Sequence, residues 1–141
     1  KLDKASMFST QMLGADLSMA SLEGATIAAD LYKANLRGAN LKNAKMGADM
    51  KNQSMGIMAL KAKKAFFDNA DLSGADLSRT DLEYASFKNA NLSNANLEFA
   101  KLTGVNFVGA NLTNTNFTNA ELGANHFCGS IGLDKAIGLK K

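Results

Sequence analysis

The sequence predicts an all-β solenoid, in which short extended segments stack on one another. Three observations predict it. An apolar residue recurs every five residues from Phe67 to Phe127, and all thirteen members of this series are Leu or Phe. The residue two positions before each of these centres is Ala, Thr or Val as far as Ala120. Four phenylalanines, moreover, lie twenty residues apart: Phe67, Phe87, Phe107 and Phe127.

The period of five predicts the shape of the coil. It matches neither the helix period of about 3.6 nor the strand period of 2, so each pentapeptide is interpreted as one extended segment plus a turn. Four of them close a roughly square coil of about twenty residues, with coils about 4.8 Å apart. The four phenylalanines then form a stacked core column in one wall. The centre and the small residue before it point inward, and the other three positions face solvent.

The turns carry their own signal. The residue two after each centre is expected to adopt a positive φ, which favours Gly or Asn. Nine of these thirteen residues between Asn69 and Gly129 are Gly or Asn. Where another residue occupies this position, as at Tyr84 and Phe99, a different turn type is expected. The outward Asn residues are expected to form ladders of stacked amides.

The same frame runs through residues 1–50, with two shorter steps. The centres Ile27 and Leu31 are four residues apart, and so are Met46 and Met50. Each short step deletes one residue and is predicted to give a tightened corner.

Residues 51–64 lack the repeat, so we predict an excursion between repeat segments 1–50 and 65–129. One interpretation is a continuous coil in which Met55 and Leu60 are degenerate centres. The favoured interpretation is an irregular or helical excursion. The face of such a helix would consist of Met55, Met58, Ala59, Ala62 and Phe66.

The repeat ends at Gly129, and residues 130–141 are predicted to cap the open end of a single domain spanning 1–141. One helical turn is expected from Asp134 to Ile137. Leu133, Ile137 and Leu139 are the apolar residues available to cover the core.

Composition limits the function classes. The formal charge is +3, from 16 basic against 13 acidic residues, and this balance does not indicate nucleic-acid binding. The single Cys excludes an intrachain disulfide. No apolar run approaches the roughly 20 residues of a membrane span, and no signal segment is visible. The chain begins inside a repeat without Met, as expected of a processed protein or a trimmed domain.

No catalytic or metal site is predicted. His126 and Cys128 are the only His and the only Cys, and both are expected to point outward on either side of a buried Phe127. No residue pattern supplies an orienting acid, a phosphate loop or a set of zinc ligands. We therefore expect no enzyme activity, no cofactor and no small-molecule substrate.

The candidate partner-binding residues are those of the excursion and the exposed aromatic residues at corners. They are Lys51, Met55, Met58, Lys61, Lys63, Lys64, Tyr84 and Phe99. A nucleic-acid partner is not expected, because the lysine cluster has little aromatic interleaving and is interpreted as the solvated edge of a loop.

The repeated Ala-(Asp/Asn)-Leu-x-x pattern resembles that of the pentapeptide-repeat proteins, over nearly the whole chain except residues 51–64 and the tail. The resemblance implies a right-handed quadrilateral β-helix of about six coils. It also implies a possible role, since known members include proteins that mimic DNA to engage a topoisomerase, thylakoid-lumen proteins and bacterial effectors. Some members dimerise at the C-terminal end, so a homodimer through that end is a further expectation.

The sequence therefore predicts a non-enzymatic scaffold that mediates protein–protein interaction with an unidentified partner. The alternative is a DNA mimic that binds a type II topoisomerase (gyrase) and confers quinolone resistance. That alternative is discounted because a mimic needs an acidic surface and this chain is net positive. A soluble protein is expected, with the bacterial cytoplasm favoured over the thylakoid lumen or secretion as an effector.

Overall fold

The computed structural model describes residues 1–48 and 58–139, and in it the chain winds into a β-helix. Parallel bridges join the residue directly before each centre to the residue twenty positions further along the chain. They run from the pair Lys61 and Asp81 to the pair Asn111 and Ile131. Successive bridged positions are five residues apart, so four of them complete one coil. Strand β1 (Ser6–Gln11) pairs in parallel with strand β2 (Thr26–Asp30), and a 3-10 helix spans Leu133–Lys135.

The bridge pattern divides the coil into four walls, each named here by its column of centre residues. Wall 1 contains Leu2, Leu22, Leu41, Leu72, Leu92 and Leu112. Wall 2 contains Met7, Ile27, Met46, Leu77, Leu97 and Phe117. Wall 3 contains Met12, Leu31, Ala62, Leu82, Leu102 and Leu122. Wall 4 contains Leu17, Leu36, Phe67, Phe87, Phe107 and Phe127. The corner between two walls is named by both, as in the 2/3 corner.

The core lies between the walls and consists of the centres and the small residues that precede them. In wall 4 the rings of Phe67 and Phe87 stack with centroids 4.7 Å apart, and Phe107 follows at 5.7 Å. Phe127 continues the stack at 5.2 Å from Phe107. The first three rings are fully buried. Phe127 is only half-buried, contrary to the sequence prediction, because it is the last centre of wall 4 and the chain beyond it continues walls 1 and 2 through Ile131 and Ile137.

Every regular corner is closed by one backbone hydrogen bond, such as that from Ala75 N to Leu72 O at 3.0 Å. The second corner residue has a positive φ whatever its type. Tyr84 has φ 61°, Phe99 57° and Arg79 60°, close to the values of the corner Asn residues. The expectation of a different turn at such positions is therefore wrong. Coil closure imposes the left-handed conformation, at a cost of about 1–2 kcal/mol for a residue with a Cβ.

The recurrent Asp or Asn before each centre also has a backbone role. Its side-chain oxygen accepts a hydrogen bond from the backbone N–H two residues on, as Asn91 does from Ser93 at 3.1 Å and Asn116 from Thr118 at 3.0 Å. These amides therefore serve the corner rather than the stacked ladder expected from the sequence. An amide pair between adjacent coils joins corner residues instead, with Asn114 Nδ2 donating to Asn94 Oδ1 at 3.3 Å.

The four-residue step from Ile27 to Leu31 does not produce a tightened corner, so that prediction is wrong. Strand β2 instead runs straight through the corner, with buried and half-buried residues alternating as in any strand. Strand β1 has the full five-residue step and accommodates the extra residue as a bulge between Phe8 and Gln11. Met50, the end of the second short step, lies outside the described residues.

The excursion is inserted into a single corner. Leu60 N donates to Met46 O at 2.9 Å, which is the usual corner-closing bond, although residues 47–59 intervene where a regular corner has two residues. Leu60 and Ala62 are both fully buried. The excursion therefore ends before residue 64, where it was predicted to end. Ala62 and Phe66 belong to the coil, so their assignment to a helical face is wrong. Leu60 takes the position of the small residue, and Ala62 is the centre.

The C-terminal segment only partly matches the expected cap. The 3-10 helix begins earlier than the predicted turn, and Leu133 and Leu139 pack against the core. Ile137 does not cover the core. It is 54% exposed and pairs with Asn116, so it continues the outer surface of wall 2.

Candidate functional site

Three irregularities of the coil stack on one corner. The bulge of β1, the straight passage of β2 and the insertion at 47–59 all fall at the 2/3 corner in successive coils. The register explains this. Phe8 pairs with Ala28, and Gln11 pairs with Asp30, which in turn pairs with Lys61. The 2/3 corner is therefore the place where the regular prism is interrupted.

The described foot of the insertion rests on the first coil. Met58 Sδ lies 3.8 Å from Ser9 Oγ, which donates to it. Between them opens a shallow cavity of about 240 Å³, with Asp30 and Lys61 among its lining residues. Two predicted partner-binding residues, Lys51 and Met55, lie outside the described residues.

The outer surface of wall 3 carries charges that alternate in sign down the coils. The bridged residues are, in order, Asp30, Lys61, Asp81, Lys101 and Glu121. Lys63 adds two ion pairs, with its Nζ 3.6 Å from Asp81 and 3.4 Å from Glu83. These carboxylates, Asp81 first, raise the pKa of Lys63 above its ordinary value. Lys61 thus lies on a wall of the prism and Lys63 lies at the 3/4 corner beside it. The prediction that these lysines form the edge of a loop is wrong.

The 3/4 corner carries Lys64 and Tyr84, and Tyr84 is 57% exposed. The ring of Tyr84 lies over Gly104 of the next coil, close enough that a Cβ there would be 2.6 Å from its Cε1. Lys33 occupies the same corner in the preceding coil, because the offset of 31 that pairs Asp30 with Lys61 also relates Lys33 to Lys64. Sequence reasoning missed Lys33, since its relation to Lys64 becomes visible only when Ala62 is recognised as a centre.

Phe99 lies on the other side of wall 3, at the 2/3 corner, and is 41% exposed. The guanidinium of Arg79 covers its ring at 4.3 Å from the centroid. Phe99 and Tyr84 therefore occupy different corners. All the described candidate residues, however, lie on wall 3 or on the two corners that border it. We call this surface the wall 3 face.

His126 and Cys128 are both exposed, on either side of Phe127. Within residues 1–48 and 58–139, no three His, Cys, Asp or Glu side chains are grouped as metal ligands. An apolar cavity of about 840 Å³ opens at the C-terminal end of the coil, lined in part by Phe117, Leu122 and Leu139. Its lining is mostly apolar, as in an unfinished core, with Thr118 and Asn119 as its polar residues.

Comparisons with known proteins agree with the repeat. The family model of pentapeptide repeats matches eight copies over residues 14–52, 61–94 and 90–123. A pentapeptide repeat protein from the cyanobacterium Cyanothece 51142 is 33% identical, covers 77% of this chain and has a TM-score of 0.53. This chain spans 63% of that protein. No curated protein sequence matches the chain.

Two further solved structures are more distant in shape. A pentapeptide repeat protein of the Arabidopsis thaliana thylakoid lumen is 37% identical over 74% of this chain and 66% of its own, with a TM-score of 0.34. Trypsin-treated QnrB1, a plasmid-mediated fluoroquinolone resistance protein, is 17% identical over 93% of this chain and 78% of its own, with a TM-score of 0.46. In the part of the chain that the structure describes, no helix could cross a membrane. Because the family model matches well over half of the residues, the chain belongs to the pentapeptide-repeat family.

Proposed function

We propose that this protein is a non-enzymatic scaffold that binds a protein partner through the wall 3 face. The observation that carries the proposal is the way the insertion joins the coil. Residues 47–59 replace a two-residue corner, yet the bond from Leu60 N to Met46 O closes the corner as usual. A loop held on a rigid framework is where binding residues are most often placed.

The remainder of the wall 3 face supports the same proposal. It combines exposed aromatic side chains at its borders, Tyr84 and Phe99, with unlike charges along its centre. Such a mixed surface suits a protein partner, since aromatic residues and complementary charges give specificity at interfaces. Met58, at the foot of the insertion, adds an adaptable apolar contact.

The test replaces residues 47–59 by the Ser-Asn dipeptide found at the regular corner of Ser93 and Asn94. The matched control keeps the length of thirteen residues but replaces the sequence with Gly and Ser. Thermal unfolding followed by circular dichroism should show an intact coil in both variants. Affinity capture from the source organism, with the bound proteins identified by mass spectrometry, should lose the partner in both. An unchanged set of bound proteins would identify the insertion as a tolerated one and overturn the proposal.

The absence of catalysis is part of this proposal. His126 and Cys128 both face solvent on the outer surface beside Phe127, and the described residues include no hydrogen bond between their side chains. A thiolate–imidazole pair needs hydrogen-bond contact between the two side chains and an orienting third group. The outward geometry at these two residues supports a scaffold that works without cofactor or substrate.

The rival function, a DNA mimic directed at a topoisomerase, is not favoured. Such a mimic needs a continuous negative stripe to imitate phosphates. On wall 3 Lys61 and Lys101 interrupt the carboxylates in alternate coils. The likeness to QnrB1, at 17% identity, concerns the fold alone.

We further propose the finer architecture implied by the family: a right-handed coil of about six turns, with the 3-10 helix of Leu133–Lys135 as part of a C-terminal cap. The apolar opening beside Phe127 supports a homodimer through that end. Light scattering of the protein and of a Leu122→Lys variant tests this, since a dimer should become a monomer in the variant.

For the compartment, the thylakoid-lumen relative favours testing lumenal against cytoplasmic fractions.

A further inference from the structure

Two lysines are stacked in adjacent coils at the 3/4 corner. Lys33 and Lys64 are related by the 31-residue offset that pairs Asp30 with Lys61 and Asn35 with Phe66. The two coils are hydrogen-bonded here, with Lys33 N 3.0 Å from Lys63 O. Adjacent strands are about 4.8 Å apart. Lys33 and Lys64 are both exposed, at matching positions of the same corner in adjacent coils.

This arrangement is costly to the isolated protein in two ways. Both lysines have a left-handed backbone, with φ 57° at Lys33 and 58° at Lys64, where Gly or Asn would be less strained. Like charges directly opposite each other across a ladder are also destabilising. Elsewhere on wall 3 the bridged residues Lys61, Asp81 and Lys101 alternate in sign and avoid this repulsion.

Neighbouring acids do not neutralise the pair. The ion pairs found among the described residues use Lys63, with Asp81 and Glu83, and Arg37, with Asp68. In residues 1–48 and 58–139 no carboxylate lies within 4.0 Å of Lys33 or Lys64. The next residue down the same corner is Tyr84, whose exposed phenol can donate a further hydrogen bond.

We propose that Lys33, Lys64 and Tyr84 form a docking site for an acidic segment of the partner protein. This inference rests on the proposed function and specifies the partner's chemistry at one border of the wall 3 face. Carboxylates from the segment would pair with the two ammonium groups and relieve their mutual repulsion. Tyr84 would donate its O–H to the end of the segment.

The surroundings favour discrete carboxylates over a nucleic acid. Glu83 directly precedes Tyr84 and lies on the same coil as Asp81, so a long polyanion continuing past the two lysines would meet like charge, and a short acidic segment suits the site better. The aromatic rings beside the lysines are also already covered. Lys33 Nζ lies 5.2 Å from the ring centroid of Tyr32, and the Arg37 guanidinium lies 4.0 Å from that of Phe66. Bases would therefore find few free rings on which to stack.

The test uses the whole chain and a fluorescein-labelled oligoglutamate peptide, with binding measured by fluorescence anisotropy at low salt. The test variant is Lys33→Asn with Lys64→Asn. The matched control is Lys42→Asn with Lys88→Asn, which removes the same charge from exposed residues at the 1/2 and 4/1 corners. The test variant should bind oligoglutamate about fivefold to thirtyfold more weakly, and the control should bind as the parent does. Added salt should weaken binding to the parent protein.

A second measurement separates docking from a structural role. Asn suits the left-handed corner better than Lys, so the test variant should unfold about 3 °C or more above the parent while binding less. Weak oligoglutamate binding to the parent, or equal losses in test and control variants, would overturn the inference. Tighter binding of an oligothymidine probe, lost in the same variant, would replace the acidic segment by a nucleic acid.

The outcome is distinguishable from failure of the proposed function. The variant lacking residues 47–59 retains both lysines and should bind oligoglutamate normally. If partner capture still depends on the insertion but the lysine variant captures the partner fully, this inference alone is overturned. If capture is insensitive to the insertion, the proposed function fails, whatever the peptide result.

Discussion

The backbone N–H of Leu60 donates to the carbonyl of Met46 at 2.9 Å, so these two residues close a corner although thirteen others separate them. Regular corners make the same bond across two residues. The coil above and below is therefore continuous in hydrogen bonding across the insertion. A loop can be added at such a place at little thermodynamic cost, because closure entropy grows only slowly with length.

The exchanged sizes of Leu60 and Ala62 can be tested by a double-mutant cycle. Both side chains are fully buried, with the large one where other coils have Ala and the small one where they have Leu or Phe. Leu60→Ala should cost about 2–5 kcal/mol by leaving a cavity, and Ala62→Leu about 1–3 kcal/mol by overpacking. The double variant restores the usual order and the total volume. Its free energy of unfolding in urea should lie within about 1.5 kcal/mol of the parent; additive losses would show that the two positions do not share one space.

The phenylalanine column predicts a gradient of sensitivity. Phe107 is fully buried between Phe87 and Phe127 and makes an edge contact with Phe117 at 5.8 Å. Phe107→Ala should reduce the free energy of unfolding by about 3–5 kcal/mol. Phe127→Ala, at the half-buried end of the stack, should cost clearly less. Guanidinium titrations followed by circular dichroism measure both, and equal losses would contradict the assigned burial.

Two glycines near the C-terminus separate backbone strain from steric contact. Gly129 and Gly132 have φ 68° and 74°, so a Cβ is strained at either. At Gly129 a Cβ would meet nothing within 4 Å, whereas at Gly132 it would lie 2.7 Å from Thr113 Cα. Gly129→Ala should therefore cost about 1–2 kcal/mol from strain alone. Gly132→Ala should cost more, measured as a lower midpoint of thermal unfolding. If the two variants unfold together, the close approach to Thr113 is not present in solution.

The pKa of Asp3 should depend on Ser21. The Ser21 hydroxyl, 2.5 Å from Asp3 Oδ1, is the main cause that lowers the pKa of Asp3 below its ordinary value, and the N–H of Glu23 adds to it. A lowered pKa stabilises the fold above the unfolded-state pKa, and this stability is lost as the pH falls through the folded-state value. Ser21→Ala should move the pKa of Asp3 upward and reduce that loss in acid.

Carboxyl carbon NMR during a pH titration measures this change directly. Asp16 is the internal control, because the hydroxyl and N–H of Ser18 lower its pKa independently of Ser21. Its titration should stay where it is in Ser21→Ala and move upward in Ser18→Ala. A parallel shift of both carboxyls in either variant would point to a global change in the coil instead.

The sequence located the candidate site only in part. Tyr84 and Phe99 were predicted to lie at corners from their distance to the nearest centre, and they do. Their left-handed backbone was not predicted, because local preference disfavours it and only closure of the coil imposes it. Lys33 went unnoticed for a related reason. Its neighbour Lys64 lies 31 residues away, an offset that no repeat of five or twenty reveals.

By itself, the sequence determined the period, the inward residues and the family. These are local properties, since the spacing from Phe67 to Phe127 can be counted along the chain and every coil repeats the same environment. The tertiary structure decided where the insertion begins and ends, that it borders the wall 3 face, and which charged side chains are neighbours in adjacent coils. Those features depend on hydrogen bonds between coils, such as that from Leu60 to Met46. Such a bond forms only when the coils stack and bring the two ends of the insertion together. The spacing of residues along the chain cannot reveal it, because the repeat is interrupted there.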